Sequence, residues 1–202
     1  MGTLIYLLRH GEVEGAEQRR FIGHVDIALS PRGERQARAQ SRRLRAVGLK
    51  AIFTSDLARA RRTGEIIGAS LGLRPTIVPA LREMNMGRWD GLTAAEITAR
   101  NSAAFEAWMA RIAEVPFPGG ESAGDLLTRA WPAFAALIAA HAGGRIAVVA
   151  HGGTNRVLLC HALGLPLARL LSFSQDYGAL TVLEHEDGRW RLHRLNEPPR
   201  LG

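Results

Sequence analysis

The sequence predicts an α/β protein: a three-layer α/β/α sandwich with a mostly parallel central sheet, a C-terminal β-hairpin and a short helical lid insertion. Three observations carry that expectation. Apolar runs such as Thr3-Leu4-Ile5-Tyr6-Leu7-Leu8 and Ile146-Ala147-Val148-Val149-Ala150 are almost uninterrupted, as strands buried on both faces are. They alternate with amphipathic stretches of helical length, the order that builds a parallel sheet covered by helices. The chain then closes with two alternating stretches joined by Glu186-Asp187-Gly188, a hairpin signature.

Taken in order, residues 3–8 form the first strand, which runs into Arg9-His10-Gly11. A polar, glycine-containing loop covers 11–29. Ser30-Pro31 opens a helix as N-cap and first helical position, and Gly48 stops it after Val47. Residues 50–54 read as a second strand, 57–71 as a second helix closed by Gly72, and 74–78 as a shorter third strand. The pattern changes over 79–121. There a loop with Gly87 and Gly91 leads into short helical segments opening at Thr93, which with Glu96 matches a capping box. Pro116-Phe117-Pro118-Gly119-Gly120 has the composition of a loop. This stretch reads as a lid over the strand ends, inserted into a single domain of residues 1–202. A long helix follows over 123–141, expected to bend at Pro132. A fourth strand over 145–150, a helix over 154–163 and a hairpin of 178–184 with 189–195 complete the chain.

Hydrophobic residues make up 47% and charged residues 22% of the 202 positions, which excludes a disordered chain. The net charge of +7 is nearly all arginine, because Lys50 is the lone lysine. Guanidinium groups make forked hydrogen bonds to phosphate and carboxylate. Arg35, Arg38, Arg42 and Arg45 recur at helical spacing without interleaved aromatic residues, so they read as a solvated helix face and no nucleic-acid partner is expected. Cys160 stands alone, which rules out an internal disulfide framework. No basic leader precedes the first strand, and no stretch approaches the roughly 18 to 20 apolar residues that span a bilayer. A cytoplasmic protein with no membrane partner is expected.

The chemistry lies at the strand ends, where open α/β sheets bind ligands. The first strand ends in Arg9 and His10, the second leads to Arg59 in the first turn of a helix, the third to Glu83, and the fourth into His151-Gly152-Gly153. Singly, each has an ordinary reading: Arg59 could pair with Asp56, Glu83 could be a solvated loop charge, and Gly11 could simply turn the chain or admit a ligand. Jointly they place an imidazole, two guanidiniums, a carboxylate and a second imidazole on one rim. Gly23, His24 and Gly152 border that rim as candidate substrate contacts. Cys160 is followed six positions later by Pro166, not by the arginine of a cysteine phosphatase, and the remaining histidines lack metal-ligand spacing.

Four ordered motifs, Arg9-His10-Gly11-Glu12, Ser55-x-Leu57-x-Arg59-Ala60-x-x-Thr63, Leu81-x-Glu83-x-x-x-Gly87-x-Trp89-x-Gly91 and Val149-x-His151-Gly152-Gly153, resemble the histidine phosphatase (phosphoglycerate mutase-like) superfamily across nearly the whole chain. The resemblance implies that His10 is the nucleophile, that Arg9, Arg59 and His151 hold the phosphoryl oxygens, and that Glu83 gives a proton to the leaving alcohol and then helps activate water. It implies a phosphomonoesterase that needs neither metal nor cofactor and takes a small phosphorylated metabolite. The mutase branch usually carries an Asn after the histidine motif and a longer insertion; here Val13-Glu14-Gly15-Ala16-Glu17 stands in that place and the lid is short. The stretch 21–30 and the tail around Asp176–Leu180 and Arg194-Leu195-Asn196 are similar to α-ribazole phosphatases, which implies α-ribazole 5′-phosphate as a substrate. A broad-specificity phosphatase, a cofactor-dependent phosphoglycerate mutase and a non-catalytic basic phosphate-binding module are the alternatives.

Overall fold

The computed structural model describes residues 2–201. Its elements are β1 (Thr3–Arg9), α1 (Pro31–Leu44), β2 (Ala51–Thr54), α2 (Ala58–Ala69), β3 (Thr76–Ile77), α3 (Ala94–Ala110), α4 (Ala123–Ala140), β4 (Arg145–Ala150), α5 (Gly152–Ala162), β5 (Leu180–Glu186) and β6 (Arg189–Glu197). They form one six-stranded sheet in the order β3-β2-β4-β1-β5-β6. The first four of these strands are parallel; β5 runs antiparallel to β1, and β6 to β5. The predicted α/β/α sandwich, parallel centre and terminal hairpin are all present.

Strand alternation sorts the core into two layers. On one face Ile5, Leu7, Phe53, Ile146 and Val148 pack with Leu126 and Phe134 of α4 and Val157 and Leu158 of α5. On the other, Leu8, Ile52, Ala147 and Val149 pack with Leu44 of α1 and Ala60 and Ile67 of α2. Each face thus receives its own helical layer. Cys160 belongs to the first cluster as a fully buried thiol, whose titration burial pushes up.

Local signals set most boundaries. Ser30 Oγ accepts from Gly33 N at 3.1 Å with Pro31 at the first helical position, and Thr93 with Glu96 forms the expected capping box. A second box, Ser122 with Asp125, opens α4, which continues through Pro132. Other boundaries moved. Helix α1 stops at Leu44, three residues before Val47, although Gly48 takes the left-handed conformation (φ 73°) that ends the turn. Strand β3 keeps two paired residues at the sheet edge instead of five. Helix α5 begins at Gly152 rather than Thr154, because those glycines form its first turn directly after β4. Within α3, Asn101 is extended (φ −163°, ψ 86°) and its Oδ1 accepts from Ala104 N at 3.0 Å, which caps a second helical piece. Among the described residues no helix is long and apolar enough to cross a membrane.

Candidate active site

The parallel strands β1, β2 and β4 end at the same edge of the sheet, and a cavity of about 300 Å³ opens there. Arg9, His10, Arg59, Glu83 and Gly152 line it. His151 lies behind His10, with ring centroids 5.1 Å apart. Every catalytic and phosphate-binding residue expected from the sequence therefore meets at one place.

His10 is 4% exposed. Its Nδ1 lies 2.7 Å from Gly11 O, and a carbonyl can only accept, so Nδ1 carries the proton and Nε2 keeps its lone pair. The backbone fixes the residue from both sides: His10 N donates to Ala150 O, and its carbonyl accepts from Gly178 N. Burial first, then the Arg9 and Arg59 charges, hold its pKa well below 6.5. His151 is fully buried and its pKa is lowered in the same way, by burial and then by Arg59. Its Nε2 is 2.6 Å from Ser55 Oγ.

Gly11 also meets a packing requirement. A Cβ on it would stand 2.4 Å from Gly33 O, and one on Gly33 would stand 2.0 Å from Glu12 O. Gly11 is needed for close packing of the strand end on the first turn of α1.

The arginines are oriented by backbone carbonyls. Arg9 Nη1 donates to Gln175 O at 2.6 Å, and its guanidinium lies 3.8 Å over the Tyr177 ring. Arg59, 1% exposed, donates from Nη1 to Val25 O at 2.9 Å and from Nη2 to Gly23 O at 2.6 Å. Asp56 does not pair with Arg59; its partner is Arg82. The first turn of α2 is capped from a distance, by Asp26 Oδ1 accepting from Ala58 N at 2.7 Å. Arg9 Nε, Arg59 Nε and His151 Nδ1 are buried and meet no partner among the described residues.

Glu83 is 6% exposed and its carboxylate accepts three backbone N–H groups: Met84 and Thr154 at Oε1 (2.8 and 3.1 Å) and Gly153 at Oε2 (3.0 Å). A Cβ on Gly153 would stand 2.4 Å from Oε1, so that position has no room for a side chain. His24 and Gly23 stand outside the cavity lining. His24 Nε2 donates to Glu83 O at 2.8 Å, and Gly23 gives its carbonyl to Arg59, so both hold other site residues. The amides of Gly23, His24 and Val25 all donate to Asp90.

Several participants were not singled out from sequence. Arg156, Arg19, Tyr177 and Trp108 line the cavity, Ser55 supports His151, and Arg129 donates to the carbonyls of Ala80, Arg82 and Glu83. Ser55 stood inside a recognised motif, and Arg156 lies on α5 one turn beyond Gly152. Arg129 and Asp90 act on segments 46 to 67 residues away, which no local pattern announces.

Comparison with known proteins identifies the family. A family model described as the histidine phosphatase superfamily (branch 1) matches residues 5–198. A curated protein named probable phosphoglycerate mutase GpmB, from Erwinia tasmaniensis, is 33% identical over 191 residues, covering 92% of this chain and 86% of that protein. The solved structure of mycobacterial glucosyl-3-phosphoglycerate phosphatase superposes with a TM-score of 0.86 at 33% identity, covering 96% of this chain and 99% of that one. The α-ribazole phosphatase of Shigella flexneri superposes with a TM-score of 0.88 at 25% identity, covering 96% of each chain. With the family model spanning nearly all of β1 to β6, this chain belongs to the histidine phosphatase superfamily, branch 1.

Proposed function

We propose that the protein is a metal-independent phosphomonoesterase that passes the phosphoryl group through His10. The observation that carries this reading is the set of buried, unpartnered groups around a neutral nucleophile: Arg9 Nε, Arg59 Nε and His151 Nδ1 beside His10. Buried polar groups are ordinarily satisfied, and donors converging beside a free imidazole nitrogen suit the oxygens of a phosphate ester. His151 Nε2 shares a hydrogen bond with Ser55 Oγ, and in the tautomer that carries its proton on Nδ1 that nitrogen joins the set as a donor.

In the first step His10 Nε2 attacks phosphorus, an N–P bond forms, and the P–O bond to the alcohol breaks. The leaving oxygen takes a proton from Glu83, help that is typically worth ~10² to 10⁴ in rate. Water then attacks phosphorus and gives its proton to Glu83. The N–P bond breaks and inorganic phosphate leaves. Arg9 and Arg59 offset the charge of the transferring group throughout.

Two substrate readings have support. The loop at 21–30, the tail and the likeness to the Shigella enzyme favour α-ribazole 5′-phosphate; the higher identity with the mycobacterial phosphatase favours a phosphorylated acid. The curated relatives named as mutases keep cofactor-dependent phosphoglycerate mutase as the competing activity. Phosphate release from both esters with chelator present, and isomerisation of 3-phosphoglycerate, are measured side by side.

The decisive measurement is trapping by an alkaline denaturing quench during turnover of labelled substrate, because the N–P bond of a phosphohistidine survives base and hydrolyses in acid. Label is expected on the wild type and absent from His10→Ala; equal label on both removes His10 as nucleophile. Glu83→Gln is expected to lose more activity on alkyl phosphates than on p-nitrophenyl phosphate, whose leaving group needs no proton. Equal losses would take Glu83 out of the proton-transfer role.

A further inference from the structure

A cavity of about 420 Å³ beside α1 shares no lining residue with the catalytic one. Ala39, Gln40, Arg42 and Arg43 of the helix line it, together with Arg200 of the C-terminal tail. Arg194 of β6 adds a fourth guanidinium close to Arg43: burial first, then the Arg194 and Arg200 charges, lower the Arg43 pKa from its ordinary value. One carboxylate serves the group. Glu197 pairs with Arg43, and its Oε1 accepts from Arg194 Nη1 at 2.8 Å. Arg42 and Arg200 have no carboxylate partner among the described residues. Like charges gathered around a single counter-ion repel one another, and a bound anion relieves that repulsion. Guanidinium groups suit phosphoryl oxygens in particular, because they donate in forked pairs.

Gln40 supplies a second, independent requirement. It is 1% exposed. Its Nε2 donates to Gly178 O at 2.8 Å and to Glu197 O at 3.5 Å, which fixes the orientation of the amide, since a carbonyl can only accept. Its Oε1 is buried and meets no partner among the described residues. Buried acceptors are ordinarily satisfied. The arginines therefore call for an anion and the glutamine for a donor, which the oxygens of a phosphate dianion cannot supply. A protonated amine would bring the donor but meets the repulsion of the guanidiniums. A hydroxyl brings it without charge.

We infer that this cavity is a second ligand site, separate from the catalytic one, for a small phosphate or phosphonate that carries a hydroxyl group. Arg42, Arg43 and Arg200 take the anionic oxygens, and Gln40 Oε1 accepts from the hydroxyl. The site goes beyond the phosphatase reading and stands whatever chemistry His10 performs.

The test is titration of the isotopically labelled full chain with 2-hydroxyethylphosphonate and with ethylphosphonate, which differ by one hydroxyl and whose P–C bonds are not ester bonds. Nuclear magnetic resonance follows the Gln40 side-chain amide and the Arg43 Nε–H, while the Gly153 amide reports on the catalytic cavity. 2-Hydroxyethylphosphonate is expected to shift the Gln40 and Arg43 signals along a saturable curve. Its midpoint should lie about fivefold below that of ethylphosphonate, the scale of one hydrogen bond. Arg42→Gln combined with Arg200→Gln should raise the midpoint by about tenfold or more, as the loss of charge-assisted bonds does. Both arginines are exposed, so replacing them leaves the core alone. Gln40 is kept intact, because its amide holds Gly178, whose N–H donates to His10 O at 2.9 Å.

Shifts at Gln40 and Arg43 that grow without saturation, or that sodium chloride reproduces at equal ionic strength, overturn the inference and return these arginines to a solvated surface. Equal midpoints for the two phosphonates overturn it as well, and so does an unaltered midpoint in the double variant. Saturation seen at Gly153 alone refutes the second site while leaving the catalytic reading intact.

Discussion

Two imidazoles buried without charge make this protein sensitive to acid in a defined window. His10 and His151 both titrate well below 6.5 in the folded state, chiefly because burial disfavours the cation. The unfolded chain takes up those protons near 6.5, so the unfolded state binds more protons than the folded one below that pH. Stability is full above about pH 6.5 and declines as pH falls toward the folded values. Each unit of separation corresponds to about 1.4 kcal/mol, or roughly 3–6 °C in Tm for a chain of this size. The carboxylates whose folded values are lowered, Glu121 and Asp125 among them, lose their contribution at lower pH, so the interval from 6.5 to 5 belongs to the histidines. Calorimetry from pH 7.5 to 5 is expected to show Tm falling by several degrees in the wild type and by clearly less in His151→Asn. An identical slope in the two proteins would assign the acid sensitivity to other groups.

Helix α4 fixes Glu83 without touching its carboxylate. Arg129 donates from Nη1 to Ala80 O at 2.7 Å and from Nη2 to Glu83 O at 3.2 Å. It also pairs with both oxygens of Glu121, one of which accepts from Asn85 N at 2.8 Å. This fork spans the segment on both sides of Glu83, so Arg129 is a positioning residue. Arg129→Met is expected to lower kcat on alkyl phosphates by about 10-fold or more, the scale on which small misplacements act. The loss on p-nitrophenyl phosphate should be smaller, and Arg129→Lys should recover little, because an ammonium cannot fork. A lowered Tm with unchanged leaving-group dependence would leave Arg129 a purely structural role. The same element shows what a sequence can disclose. Ser30-Pro31, Thr93 with Glu96, and the turn at Asp187-Gly188 were legible because cap and turn chemistry acts over three or four residues. So were Arg9, His10, Arg59, Glu83 and His151, because strand ends of a parallel sheet converge by construction. Arg129, Ser55 and Asp90 act across long stretches of chain, and Gly152-Gly153 look like loop until β4 is seen to feed directly into α5.

At the scale of the whole molecule, the wall of the site is an aromatic core shared by two loops. Phe21 comes from the loop after β1; Trp89, Phe105, Trp108 and Phe117 come from the segment between β3 and α4. Phe21 meets Trp108 edge-on at 5.8 Å, and Trp108 lies 4.7 Å from Phe117. Backbone bonds join the same two loops, Phe21 N to Leu92 O and Gly91 N to Phe21 O. Trp108 is 5% exposed, lines the cavity, and its Nε1 has no partner among the described residues. Packing and substrate access are therefore coupled through one ring. Trp108→Ala should cost about 3–5 kcal/mol, which corresponds to a Tm fall of roughly 10 °C, and should raise KM as the wall collapses. Trp108→Phe keeps a six-membered aromatic ring and removes the N–H together with the fused five-membered ring. It should lower Tm by less than Trp108→Ala does, and a rise in its KM would report the loss of indole volume and N–H together. A Trp108→Ala variant with unaltered KM would separate the aromatic core from the site and confine its role to stability.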